Sequence, residues 1–286
     1  MISIFAKPAF LNINPSEPFA LRKKPPRGHL MRVSSMIRGD QIADQIGAKL
    51  NPTEGYEKDT CIYVKPMVRK GDDFEFKGRN IYLDIIDGHN LGQVLLKHPE
   101  VKGIVCSRQD EKIMKSVVKN EIVFIPQHHV NFDRLRRTRK EVTTVGMIGT
   151  RDAINFLPEG LQEELTKRGF EFIFFSKFFS RQDIINFYLK IDVQIVWRPY
   201  KKLLSNPLKI VNAMSFGIPT IALDEKAFWE LKGYYLPVGT PEAFLEALVS
   251  LKDNPSLYAE YSEKCYNKAE EYHVEKVGNM YKELDK

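Results

Sequence analysis

Apolar and polar positions along this chain follow two rhythms, short unbroken apolar runs and longer stretches with a helical period. The runs CIYVK (61–65), NIYLDII (80–86), KGIVCS (102–107) and EIVFIP (121–126) are what a parallel sheet buried on both faces requires. Helical spacing marks 91–97 and 108–118 between the later runs. Strand and helix therefore alternate, which predicts a doubly wound α/β domain. Upstream, HLMRVSSM (29–36) reads as a first strand, 38–40 as a turn and 41–50 as a helix. Residues 1–28, with five prolines and no clear period, read as an irregular lead-in.

The pattern restarts at Thr143. TTVGMIGTRDAINFLPEGLQEELTKRGFEFIFF reads as strand, glycine-containing loop, helix and strand, followed by a helix over 182–190, a strand over 193–197 and a helix over 242–251. Residues 258–286, rich in Glu, Lys and Tyr, read as one or two amphipathic terminal helices. A length of 286 residues supports two cores, which gives two Rossmann-like domains, 1–140 and 141–286.

The most informative stretch is SNPLKIVNAMSFGIPTIAL (205–223). Ser205 and Asn206 can cap a helix with side-chain oxygens, and Pro207 suits a first helical position. Gly217 and Pro219 end it, and 220–223 reads as a buried strand. Lys209, Asn212 and Ser215 recur every third residue on an otherwise apolar helix, so one narrow face must meet something polar. A capped N-terminus with Lys209 one turn inside it suits an anionic ligand. The plainer alternative is a thin stripe facing water.

This segment carries a resemblance. P-L-K, two apolar residues, then x-A-M-x-x-G-x-P-x-I resembles the nucleotide-sugar-binding segment of retaining glycosyltransferases with the GT-B fold, family GT4. The resemblance implies an N-terminal acceptor-binding domain, a C-terminal nucleotide-sugar-binding domain, a cleft between them and a last helix that crosses back to the first. It implies transfer of a sugar from a nucleotide-diphosphate donor to a glycan, lipid-linked or other acceptor, with retention of configuration. Ser205, Asn206 and Lys209 are then expected at the diphosphate, Asn212 near the ribose, and Gly146 and Gly149 in backbone contact, with Arg151 and Arg198 as charge partners. Family members usually carry Glu at the position of Asn212 and a second Glu at that of Leu204. Two other functions fit the same fold: a nucleotide-sugar epimerase, and a non-catalytic partner subunit that binds a nucleotide or glycan, which the missing Glu pair encourages.

In open α/β sheets, ligands bind beyond the carboxyl ends of the strands. Asp87 and His89, just past the strand at 80–86, are the catalytic candidates, although an Asp-Gly turn needs no catalysis to explain it. Arg38 and Gln41 are candidate acceptor or phosphate contacts. His128 and His129 read as cleft or linker histidines, since no third ligand stands at a metal-binding spacing. The chain contains no Asp-x-Asp, so neither a metal nor another cofactor is expected, and the nucleotide sugar enters as a substrate.

A net charge of +6 and a pI near 9.0 suit an acidic partner. A nucleotide, an anionic lipid surface and nucleic acid all fit, and the charge does not choose among them; the resemblance makes the nucleotide sugar the expected partner, with no nucleic acid expected. The basic clusters Arg22, Lys23, Lys24, Arg27 and Arg134, Arg136, Arg137, Arg139, Lys140 read first as solvated loops and, more sharply, as peripheral attraction to an anionic membrane. Three distant cysteines, Cys61, Cys106 and Cys265, read as reduced, buried thiols. Without a membrane-length apolar run or a secretory signal, a cytoplasmic protein is expected.

Overall fold

The computed structural model describes residues 1–7, 33–66, 75–86, 88, 90–176, 180–198 and 204–286. They form two compact units. One holds Met1–His128, Leu203–Asn206 and Val274–Lys286, and the other His129–Lys202 and Pro207–His273. Among the described residues no helix is long and apolar enough to cross a membrane.

The first unit is built on a parallel six-stranded sheet: β1 (Ile2–Ala6), β2 (Lys49–Leu50), β3 (Thr60–Val64), β4 (Asn80–Asp84), β5 (Lys102–Val105) and β6 (Ile122–Phe124), in the order β2-β1-β3-β4-β5-β6. Its helices are α1 (Val33–Ser35), α2 (Gln41–Ile46), α3 (Leu91–Lys97), α4 (Arg108–Val117) and α10 (Val274–Glu283). Alternation along each strand divides the side chains between two cores. Ile62, Tyr82 and Ile104 meet Ile42 of α2 and Val277 and Tyr281 of α10, whereas Cys61, Leu83 and Val105 meet Leu91, Leu95 and Met114.

Three elements differ from the reading of the sequence, one of them the helix read over 41–50, which stops at Ile46 so that Lys49–Leu50 pairs with β1 as β2. The first strand is Ile2–Ala6, inside the stretch read as irregular. Its short apolar run was hidden by the prolines that follow, and parallel pairing with β2 and β3 fixes it as a strand. From Val33 onward the stretch read as a strand is helical, and 38–40 is a π-helical turn (Met36–Asp40) leading into α2, not an open turn. Met36 and Ile37 on this turn, with Ile42 on α2, are buried, so the helical period of these apolar residues prevails over their strand-like composition.

The second unit holds the parallel sheet β11-β10-β9-β7-β8, from β7 (Thr144–Ile148), β8 (Glu171–Phe175), β9 (Val193–Val196), β10 (Thr220–Leu223) and β11 (Leu236–Val238). Helices α5 (Leu161–Lys167), α6 (Arg181–Tyr188), α7 (Leu208–Ser215), α8 (Pro241–Asp253) and α9 (Pro255–Ala269) cover it. Helix α7 packs Ile210, Val211 and Met214 against Cys265 and Ala269 of α9. The basic run in mid-chain belongs to this unit and is an exposed loop, as read, except at the buried Arg137, and ion pairs tie it down. Arg134 pairs with Glu270, Arg136 with Glu263, and Arg137, 4% exposed, with Asp192. Acidic partners distant in sequence supply the counter-charges that a local reading cannot see. Cys61, Cys106 and Cys265 are free, buried thiols.

Candidate functional site

The site is built around α7. Pro207 occupies its N-cap position and no side chain caps it, which corrects the capping role expected of Ser205 and Asn206. These two residues group with the first unit, where the Ser205 N–H donates to Asp110 Oδ1 at 3.1 Å. Leu204, 2% exposed, lies in the core beside Leu91 and Met114. An apolar side chain that must be buried decides where this tripeptide goes. The helix closes as expected at Gly217, whose φ of +69° is left-handed.

The polar stripe of α7 meets its own chain. Asn212 Oδ1 accepts the Val130 N–H at 2.9 Å, and the buried Ser215 donates from Oγ to the Asn212 carbonyl at 2.7 Å. Asn131 Nδ2 donates to the Ser215 carbonyl at 2.7 Å. Two of the three stripe residues therefore hold the segment entering the unit, and Asn212 is engaged by backbone where a ribose was expected. Lys209 differs. It is exposed, and its Nζ lies 3.6 Å from the place a Cβ on Gly149 would take. Its carbonyl accepts from Gln194 Nε2 at 2.9 Å. Gln194 is buried in the middle of β9 and also bonds Tyr188 and Thr220, so the sheet fixes the start of α7.

Gly149 directly follows β7, at its carboxyl end, and the lysine ammonium stands on the side where its Cβ would be. Gly146, its partner in G-x-x-G, has a different use. It sits within β7, where a Cβ would come within 2.4 Å of Ile191 and 2.9 Å of Phe187. Its missing side chain serves core packing and its backbone pairs with β8 and β9 in mid-sheet, in place of the ligand contact expected of it. Arg151 is exposed at the start of a 3-10 helix, Arg151–Phe156, that follows the same strand.

Arg198 stands two residues past β9, and Glu225 two residues past β10. Parallel pairing of these strands brings the two side chains together. Arg198 Nε donates to Glu225 Oε1 at 3.2 Å and Nη2 donates to Oε2, with 19% and 15% of the two side chains exposed. The neighbouring Asp224 accepts from Tyr235 Oη at 2.9 Å and from Trp229 Nε1 at 3.3 Å. The sequence reading included Arg198 but missed Glu225 and Gln194. The available signal for Glu225 was its place past a buried strand.

In the first unit Arg38 and Gln41 are buried, 1% and 5% exposed, and the expected acceptor role is corrected for this arrangement. Arg38 Nε donates to Asp84 Oδ2, and Nη1 donates to the carbonyls of Ile125 and Pro126 at 3.0 Å. Tyr281 Oη donates to the same carboxylate oxygen at 3.2 Å. Burial lifts the Asp84 carboxyl above its usual range against the pull of Arg38. Asp87 and His89 lie outside the described residues. His128 is buried with Nε2 2.9 Å from the Ile37 carbonyl, and His129 is buried against the ring of His273. Among the described residues no three His, Cys, Asp or Glu side chains gather as metal ligands would.

No protein-family model matches this chain, and no curated protein does. Solved structures do match. TarM is 13% identical over 71% of this chain and 49% of its own, with a TM-score of 0.54. Alr3699/HepE from Anabaena, solved in complex with UDP-glucose, is 12% identical over 79% of this chain and 71% of its own, with a TM-score of 0.52. The Gap123 glycosylation-associated protein complex of Streptococcus agalactiae is 14% identical over 82% and 55%, with a TM-score of 0.52. The chain spans about half the length of TarM. Two parallel-sheet units, shared with these structures, give the chain the GT-B fold expected from its sequence.

Proposed function

We propose that the protein is a glycosyltransferase that takes a sugar from a nucleotide-diphosphate donor held by its second unit. The observation that carries this reading is Lys209 Nζ placed over Gly149, where the carboxyl end of β7 and the first turn of α7 come together. A helix N-terminus and a full positive charge there suit a diphosphate. Arg151, exposed on the same strand end, adds charge. That Alr3699/HepE binds UDP-glucose on the same fold supports the assignment of donor class. The first unit then receives the acceptor, a glycan or lipid-linked sugar.

The chemistry follows from where charge develops. As the glycosidic bond to the donor breaks, negative charge grows on the departing diphosphate. A lysine already in place stabilises that state more than the bound ground state. Metal-independent transfer with retention, as in family GT4, is part of the same reading. Calorimetry with UDP and GDP, beside a turnover assay with their sugar conjugates, tests it. Binding of a nucleoside diphosphate and release of it from a sugar donor are the expected results.

A second reading has its own support. Leu204 is committed to a core and Asn212 to Val130, so two positions that carry Glu in GT4 enzymes offer no carboxylate. A subunit that binds the nucleotide sugar without turning it over fits that loss, and nucleotide binding with no release in the same assay identifies it.

A further inference from the structure

We propose that two copies of this chain pair through β8, the free edge of one strand meeting the same edge of the other, antiparallel about a two-fold axis at Ile173. The inference concerns how the second unit assembles and does not rest on the nucleotide reading.

Among the described residues four strands stand at sheet edges, β2 and β6 in the first unit and β8 and β11 in the second. A strand edge offers unpaired N–H and C=O groups to any other strand, and native sheets blunt it with short length, charge, proline or a covering group. Three of the four are blunted in this way. β2 has two residues and carries Lys49. β6 has three, with the Arg108 guanidinium 4.0 Å from the centre of the Phe124 ring. β11 has three, with Pro237 at its centre. β8 has five, and Phe172, Ile173, Phe174 and Phe175 are apolar and partly exposed, whereas β7 beside it is wholly buried. Among the described residues β8 pairs with β7 alone.

The direction of the backbone groups selects the occupant. Glu171 donates its N–H to the Thr143 carbonyl at 2.8 Å, and the Phe175 carbonyl accepts from the Gly149 N–H at 3.1 Å. With a period of two along the parallel ladder, Glu171, Ile173 and Phe175 face β7, while Phe172 and Phe174 turn both backbone groups outward. An antiparallel copy centred on Ile173 sets Phe172 opposite Phe174 and Phe174 opposite Phe172. Residues opposed in this way exchange both hydrogen bonds, so the register uses every outward group of Phe172 and Phe174 in both copies. Ile173 then meets Ile173 on one face of the joined sheet, and the phenylalanines meet on the other. Glu171 falls opposite Phe175, so no like charges oppose each other. Helix α5 packs over Phe172 and Phe174, and α6 over Ile173 and Phe175, so both helices lie on the faces of the strand and not on its edge. A segment that is its own complement calls for a second copy rather than a different chain.

Sedimentation velocity on the full chain tests this, with circular dichroism as the folding control. Wild type, 33.1 kDa as a monomer, is expected to double in mass as concentration rises over about 1–100 µM, the range of a small interface. Ile173→Lys and Ile173→Glu should each stay monomeric, because like charges meet at the axis, and an equimolar mixture of the two should recover the dimer. Ile173→Cys should cross-link under mild oxidation, since Cα atoms in a non-hydrogen-bonded antiparallel pair lie about 4.5 Å apart, within the span of a disulfide. Wild type, whose three cysteines are buried, should not. A wild type that stays monomeric throughout overturns the inference and leaves β8 to a strand of a different chain. Folded charge variants that keep the dimer, a mixture that fails to restore it, or a mass that climbs past the dimer also overturn it.

Discussion

Each unit buries one arginine against one aspartate, and the two pairs are not equally complete. Arg137 and Asp192 lie at the amino edge of their sheet. Asp192 Oδ2 accepts the backbone N–H groups of Thr143 and Thr144 at 2.8 Å, and Arg137 donates from Nη1 and Nη2 to the carbonyls of Arg139 and Glu141. Arg38 and Asp84 lie at a carboxyl edge, where Arg38 Nη2 and Asp84 Oδ1 are buried without a hydrogen-bond partner. The start of a parallel strand offers N–H groups that a carboxylate can use, whereas its end offers carbonyls that only the arginine can use. A buried pair is therefore readily completed at the edge that holds the fold and less readily at the edge where ligands bind.

Removing one partner of the complete pair should have the largest effect. Asp192→Ala leaves Arg137 buried and two strand N–H groups unpaired, and it should destabilise the protein by about 3–5 kcal/mol in urea denaturation. A loss below about 1 kcal/mol would mean that solvent replaces the carboxylate. Lys209→Ala comes next, with nucleoside-diphosphate affinity expected to fall by roughly 10- to 150-fold in calorimetry while circular dichroism is unchanged. Equal affinities in two folded proteins would show that the lysine takes no part in holding the nucleotide.

Smaller again is the joint replacement Arg38→Met with Asp84→Leu. Apolar side chains of similar volume remove the loose polar atoms and a carboxyl that burial holds above its ordinary range, but they take the partners of the Ile125 and Pro126 carbonyls and of the Tyr281 hydroxyl, so stability at pH 7 should fall by no more than about 2 kcal/mol. The same exchange of Arg137 and Asp192 should destabilise more, because it strands the N–H groups of Thr143 and Thr144 as well as the carbonyls of Arg139 and Glu141. If both double variants behave alike, the contrast between the pairs fails.

The smallest effect concerns acid. The hydrogen bond from Lys49, aided by Ser3 and opposed by burial, holds the Asp59 carboxyl below its ordinary range. A carboxyl depressed in the fold contributes stability above its unfolded pKa of about 3.9, and that contribution is lost as pH falls through the folded value. Asp59→Asn should therefore lower stability at pH 6 and leave it unaltered near pH 2, as followed by thermal unfolding. A constant difference across that range would exclude the linkage.

Much of the architecture was legible because strand burial is written in local composition. The stretch 220–223 is β10 as read, and 91–97 is α3. The strand at Ile2–Ala6 was not legible, since five apolar or small residues before a proline-rich stretch become a strand only by pairing with β2 and β3. In the candidate site, the placing of Lys209 one turn inside a helix was legible. Glu225 was not, because nothing local distinguishes it from Asp224, and only the pairing of β9 with β10 sets it beside Arg198.

By itself the sequence determined two α/β units, the helix over 208–215 with its closing glycine, and a polar stripe that needed a partner. Tertiary structure decided what that partner was. The backbone of Val130 and the side chain of Asn131 come to α7 from far along the chain, and they engage Asn212 and the Ser215 carbonyl while Lys209 stays exposed. Periodicity tells which side chains share a face. Which polar groups that face meets depends on the packing of elements distant in sequence, because a buried donor or acceptor takes the partner the fold brings within about 3 Å.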